Sequence, residues 1–250
     1  MESATFTDIR VRYENNVARI SINRPEKLNA IRIKTYRELI AALKAADAAP
    51  ECHIIVLEGA DGKFTAGNDL ADLVGPEQMQ LMDCVKGIFT TVANVKKVLV
   101  AVVEGVAVGI GTTILLHCDI VIASSKTKFR VPFVNLGVGP EGCSSVLLPR
   151  AIGQKMAREV LLTGRFFSAE EAFAWGLINR IAEPGKEAEV AEEYIAMLLQ
   201  QPLASLLKTK ELMRASQPDI ATIIDNELQA FGGFLQTEET LTRIRGFLKR

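Results

Sequence analysis

The segment Gly137-Val138-Gly139-Pro140-Glu141-Gly142-Cys143-Ser144-Ser145 carries one carboxylate, Glu141, between a proline and a glycine in a run otherwise free of charge. A carboxyl group in apolar surroundings resists ionisation, so its pKa rises and it becomes suited to taking up and returning a proton. Two other segments, Phe64-Thr65-Ala66-Gly67-Asn68-Asp69-Leu70 and Gly105-Val106-Ala107-Val108-Gly109-Ile110-Gly111, are loops of small residues that can present backbone N–H groups. One acid beside two such loops is equipment for moving a proton on the carbon next to a carbonyl: the acid moves the proton, and the N–H groups hold the negative charge that appears on oxygen. Taken alone, Glu141 reads rather as a solvated acid at the start of the helix from Ser144, where acids are favoured, and it is the surrounding motif that reverses this.

Other chemistries find fewer supports. Cys52, Cys84, Cys118 and Cys143 form no Cys-x-x-Cys pair, which argues against a disulfide framework or a structural zinc and fits a reducing compartment. The two histidines, His53 and His117, lie in apolar segments and read as packing residues. A Ser-His-Asp triad therefore lacks a base in a polar loop, and Cys143 lacks a histidine to activate it. No metal site is expected.

The elements that must position these residues read as an α/β chain. Residues 7–12 and 17–23 alternate and predict strands; 33–48 has helical spacing; 53–57, 98–103 and 119–123 predict buried strands. Residues 59–69 form a glycine-bearing loop, 77–94 a long helix, and 105–111 a turn running into a helix through Leu116. Helices are predicted at 144–163 in two pieces and then at 169–175, 186–200, 203–215, 220–234 and 237–248. The division expected is an α/β core over 1–185 holding the site and a helical region over 186–250, with Glu183-Pro184-Gly185 as the hinge. The last helices carry apolar stripes (Ile195, Leu198, Leu199; Ile223, Ile224, Leu228, Phe231) that need cover from the core or from another subunit.

The chain has 250 residues, 48% of them hydrophobic, enough for one large core. A formal net charge of -1 without long like-charge blocks gives no nucleic-acid or anionic-membrane footprint. The apolar run Val98 to Val103 is stopped by Glu104, far short of a membrane span. The first residues lack a basic region followed by an apolar core, and the last are not a Ser-Lys-Leu ending, so a cytoplasmic location is the default expectation.

Ile22-Asn23-Arg24-Pro25-Glu26-Lys27-Leu28-Asn29-Ala30, the Phe64 to Leu70 loop and the Glu104 to Asp119 segment, in this order and spacing, resemble the crotonase (enoyl-CoA hydratase/isomerase) superfamily. The resemblance covers essentially the whole chain. It implies a spiral of strand-strand-helix (ββα) turns with a C-terminal helical trimerisation region, trimers or hexamers built of two trimers, acyl-CoA thioester substrates with no cofactor beyond the coenzyme A of the substrate, and an enolate held in an oxyanion hole. By the same resemblance the oxyanion donors are the N–H groups of Asn68 and Ile110, with Gly109 preceding the second. Lys27, Ala30, Ala66 and Leu70 fall at the coenzyme A entrance and adenine site. Lys249 and Arg250 fall where a phosphate of a neighbouring subunit is within reach. Lys27 reads equally as a solvated loop lysine, and for Lys249 and Arg250 a frayed basic tail is the plainer reading.

The family's hydratases use two glutamates to hold water, and their positions here are Thr113 and Phe133. The remaining acid, Glu141, matches the single glutamate of the Δ3-Δ2-enoyl-CoA isomerases. The resemblance therefore implies an isomerase that shuttles one proton on Glu141, with Phe133 and Leu136 keeping the pocket dry. Another acyl-CoA reaction on the same scaffold, such as hydration or thioester hydrolysis, and a non-catalytic acyl-CoA-binding subunit remain alternatives. The stretch Met79 to Met82 with Val85 and Phe89 reads either as acyl-pocket lining or as core, Asp69 as the cap of a short helix, and the Asn68 side chain as a cap of the same turn.

Overall fold

The structure, a computed structural model, describes residues 6–249. Strands β1 (Ile9–Glu14) and β2 (Val17–Ile22) form an antiparallel hairpin. Its turn residues Asn15 and Asn16 both have positive φ, 48° and 64°, the geometry whose twist suits a two-residue hairpin and which asparagine tolerates. Helix α1 (Ile33–Ala48) follows and buries Tyr36, Leu39 and Leu43 on one side. Next come β3 (Ile54–Gly59), the short α2 (Leu70–Val74), α3 (Gln78–Asn94), β4 (Val98–Val103), β5 (Val106–Val108) and the one-turn α4 (Ile110–Thr113). β6 (Ile120–Ser124), β7 (Lys128–Arg130) and α5 (Phe133–Leu136) complete a further turn.

The turns form the expected strand-strand-helix spiral. Each lays one strand into a six-stranded sheet of order β1-β2-β3-β4-β6-β9, where β9 is Arg180–Ala182, parallel except for the β1–β2 pair. Each then lays a shorter extended piece into a second layer. That layer is stitched by single bridges between Ile31 and Asn68 and between Thr65 and Ala107, and by the small sheet β5-β7-β8, with β8 at Phe166–Ser168. β5, β7, β8 and β9 have 3 residues each and were not expected from sequence, since so few positions show no periodicity.

Helices α6 (Ser144–Ile152), α7 (Gln154–Thr163), α8 (Ala169–Trp175), α9 (Glu187–Leu199), α10 (Leu203–Arg214), α11 (Ile220–Leu235) and α12 (Glu238–Leu248) complete the chain. Ala191 and Ile195 of α9 pack with Val17, Ile54, Val56 and Val100 on one side of the large sheet. Ile20, Ile55, Leu57 and Leu99 face the main core on the other. Coverage of both faces explains why β4 reads as an unbroken apolar run. Ile224, Phe231 and Leu235 of α11 and Ile244 of α12 join the main core, with α11 against α3 and α12 against α2 and α5. These apolar stripes are thus covered within the same chain. Among the described residues no helix is long and apolar enough to cross a membrane.

Candidate active site

The two glycine loops meet through backbone pairing. Thr65 N donates to Val106 O (3.0 Å) and Val108 N to Thr65 O (3.1 Å). Gly67 has φ +90°, and a Cβ there would stand 2.5 Å from Val108 O, so only glycine permits this approach. Gly67 N donates to Thr65 Oγ1 and Asp69 N to Ile31 O. The bridge to Ile31 turns the Asp69 N–H inward and leaves that of Asn68 on the opposite side of the strand. Across the junction, Ile110 opens α4, where an N–H has no partner within the helix. Gly109, just before it, has φ 55° and ψ -120°, a conformation available to glycine.

Glu141 is 1% exposed. Its Oε1 accepts a hydrogen bond from Thr113 Oγ1 at 3.2 Å, and its Oε2 has no partner among the described residues. Thr113 ends the same helical turn that Ile110 begins, so the carboxyl group and the second loop's N–H share one short element. Burial pushes the Glu141 carboxyl from its ordinary 4.5 up to about 8; the Thr113 hydrogen bond opposes this and the charge of Glu227 adds to it. A carboxyl titrating near neutrality can both accept and return a proton.

The loop around Glu141 is tightly constrained. Gly142 has φ +72°, and a Cβ there would fall 2.6 Å from the Phe89 ring and 2.9 Å from Thr113 Oγ1. Cys143, though not glycine, also has positive φ, 62°. His117 Nε2 donates to Gly142 O at 2.9 Å while its ring packs on Phe89, centroids 5.6 Å apart. Burial pushes His117 down to about 4, so it is neutral at physiological pH and acts as a fixed donor, in keeping with its reading as a packing residue. Cys143 is buried with its thiol pushed up to about 12, chiefly by burial, and is inert as a nucleophile near neutral pH.

The residues expected at the coenzyme A side lie on two adjoining loops. Ala66 N donates to Leu28 O and Thr65 Oγ1 to Asn29 O, which sets the Lys27–Ala30 turn beside the Ala66–Leu70 loop. Lys27 is exposed; Ala30, Ala66 and Leu70 are half-buried. Asp69 caps α2 by accepting from Ala71 N and also pairs with Arg24 at 3.4 Å. Phe133 is buried at the start of α5, and Leu136 packs partly against the core. Of the stretch read as acyl-pocket lining or core, Leu81, Val85 and Phe89 face the core, while Met79 is 84% exposed. Arg250 lies outside the described residues.

Two partners were not read from the sequence. The Tyr36 hydroxyl donates to Asn68 Oδ1, and the side chain that caps α2 is that of Asp69. Tyr36 is fully buried, and its phenol is raised well above its usual value by burial and by the nearby Glu141 charge. Glu227 of α11 accepts from Cys143 N (2.7 Å), from Ser145 N (2.9 Å) and from Ser145 Oγ. Its one sequence signal is an acid on the stripe of Ile224 and Phe231, three and four positions away. Among the described residues no group of three or more His, Cys, Asp or Glu side chains could hold a metal ion.

Comparisons with known proteins show the family of the chain. A family model for enoyl-CoA hydratase/isomerase matches residues 12–250. The chain is 31% identical over 248 residues to a short-chain-enoyl-CoA hydratase of Clostridium acetobutylicum, covering 95% of this chain and 93% of that protein. It is 34% identical over 250 residues to enoyl-CoA delta isomerase 2 of Rattus norvegicus, covering 97% of this chain and 63% of that protein. The solved structure of Pseudomonas aeruginosa OdaA superposes with a TM-score of 0.92 at 33% identity, covering 97% of this chain and 99% of that one.

Proposed function

Since the chain belongs to the enoyl-CoA hydratase/isomerase family, we propose that it is a Δ3-Δ2-enoyl-CoA isomerase with Glu141 as its single proton shuttle. The observation that carries this reading is one fully buried carboxyl group, held by a single hydroxyl and raised to about 8, where positions 113 and 133 offer threonine and phenylalanine. Ionised Glu141 takes a proton from the α carbon of a 3-enoyl thioester. The electron pair left behind spreads over the thioester oxygen and the γ carbon. The N–H groups of Asn68 and Ile110 stabilise the oxygen, each such donor being worth roughly 2.7–4 kcal/mol. Protonated Glu141 then delivers the same proton to the γ carbon, and the double bond comes to rest between the α and β carbons. No atom is gained or lost, so exclusion of water serves the reaction; the Phe89 ring packed on Gly142 suits it, and Phe133 is the further lining residue proposed. Lys27 and the Ala30, Ala66 and Leu70 backbones form the entrance for the coenzyme A portion, and the assembly proposed is a trimer or a pair of trimers.

The test offers 3-hexenoyl-CoA and 2-hexenoyl-CoA to the purified protein and follows products by mass and by the ultraviolet band of the conjugated thioester. The expected result is conversion of the first to the second without a gain of water. Glu141→Gln is expected to lower this rate by ~100-fold or more while retaining CoA-ester binding. Hydration of 2-hexenoyl-CoA as the main reaction would assign the chain to the hydratases instead.

A further inference from the structure

We propose that Glu227, a residue of the C-terminal helix α11, is a positioning residue for the Glu141 base: its carboxylate fixes the backbone of the Glu141 loop and sets a buried negative charge behind it. The inference rests on the assignment of Glu141 as the proton shuttle. The turn Gly142-Cys143 places two successive residues at positive φ, 72° and 62°, at the start of α6. At Cys143, which has a Cβ, that conformation is strained and persists only where the surroundings hold it. What holds it is Glu227, 6% exposed, which binds Cys143 N through Oε2 and Ser145 N and Oγ through Oε1.

A helix start is usually capped by the side chain of its own first residues, at small desolvation cost. Here Cys143 contributes no cap, and the acceptor comes from 84 positions away as a buried carboxylate. Burying a charge is expensive unless donors surround it. Burial raises the Glu227 carboxyl above its usual range, and three donors oppose that push and favour the ionised form. Capping alone would not require a charge, but a charge close behind Glu141 makes that group a stronger base.

The other groups around Glu141 offer no equivalent. Thr113 on α4 is a hydroxyl, Tyr36 on α1 is a phenol bonded to Asn68, and His117 is neutral and bonded to Gly142 O. α3 brings the Phe89 ring, and its Lys86 is paired with Asp225 of α11 at 2.6 Å. Helix α11 is therefore part of the catalytic apparatus as well as a cover for the core.

The experiment measures kcat and KM for 3-hexenoyl-CoA against pH in the parent protein, Glu227→Gln, Glu227→Ala and Glu141→Gln. Glu227→Gln keeps an acceptor oxygen and removes the charge. Because Glu141 acts ionised, loss of the neighbouring negative charge moves the acidic limb of kcat/KM to lower pH, with KM nearly unchanged. Glu227→Ala loses the anchor as well and is expected to lower kcat by ~10-fold or more across the profile. The displacement of Glu141 titration is readable without substrate by comparing the pH dependence of unfolding of Glu227→Gln with that of the double variant Glu141→Gln/Glu227→Gln, since both lack the Glu227 titration. A limb that stays in place or moves upward in Glu227→Gln, or a folded Glu227→Ala with parental kcat, overturns the inference. Retained turnover in Glu141→Gln overturns instead the isomerase reading beneath it.

Discussion

A carboxyl group that must ionise inside an apolar pocket lowers the stability of its own protein, and Glu141, the proposed base, gives the size. Its carboxyl titrates at about 8 in the folded chain against an ordinary 4.5. The raised value means that the native state binds this proton more tightly than the unfolded chain does. Below pH 4.5 both states are protonated and the group costs nothing. As pH rises past 4.5 the unfolded chain releases its proton while the native state keeps it, and native stability falls. Above about 8 both are ionised and the loss is complete. The interval from 4.5 to about 8, at ~1.36 kcal/mol per pH unit, corresponds to ~5 kcal/mol as an order of magnitude, a large share of the ~5–15 kcal/mol of a typical domain. Glu141→Gln removes the titration and keeps the shape. Urea unfolding of parent and variant, at equal protein concentration from pH 4 to 9, cancels the contributions of groups not coupled to Glu141, leaving its own titration and the smaller response of Glu227 and Tyr36. The variant is expected to gain on the parent progressively between pH 4.5 and 8, by several kcal/mol, and to hold that gain above pH 8. A difference that is flat across this window, or that shrinks as pH rises, would refute the assignment of Glu141 as a desolvated base.

The remaining predictions probe its neighbours. Thr113→Val removes the hydrogen bond that holds the Glu141 pKa down. A bond to a charged group worth ~1.5 kcal/mol corresponds to about one pH unit, so the acidic limb of kcat/KM moves upward, opposite to Glu227→Gln. The expected loss is ~10-fold at neutral pH and vanishes at high pH; a loss equal at all pH values would count against the electrostatic account. Gly109→Ala adds a methyl group into open space, with nothing within 4 Å, so its cost is backbone strain at φ +55°. Strain of ~1–3 kcal/mol relaxes by rotating the Ile110 N–H, and kcat is expected to fall ~100-fold with CoA-ester binding kept. Parental kcat in a folded Gly109→Ala would remove Ile110 from the oxyanion role.

What the sequence made legible and what it hid divide along a physical line. The long helices and the buried strands β3 and β4 announce themselves because burial repeats over many residues. Glu141 announces itself because an acid in an apolar loop breaks a local rule, and such breaks concentrate at functional sites. The second layer is silent, because a strand of 3 residues or a single bridge such as Thr65 to Ala107 exists only when pairing partners arrive from elsewhere. Partnerships are silent for the same reason: Tyr36 and Asn68 are 32 positions apart, Cys143 and Glu227 are 84 apart, and no local pattern links them. Glu227 nevertheless breaks the same rule as Glu141, an acid on the apolar face of a helix. The cost of burying it is tolerable because three donors of the Glu141 loop need an acceptor. Two acids out of keeping with their surroundings, one in a glycine turn and one in a C-terminal helix, are thus parts of one device. The second anchors the backbone of the loop that carries the first, and in the proposed reaction that loop is where the proton moves.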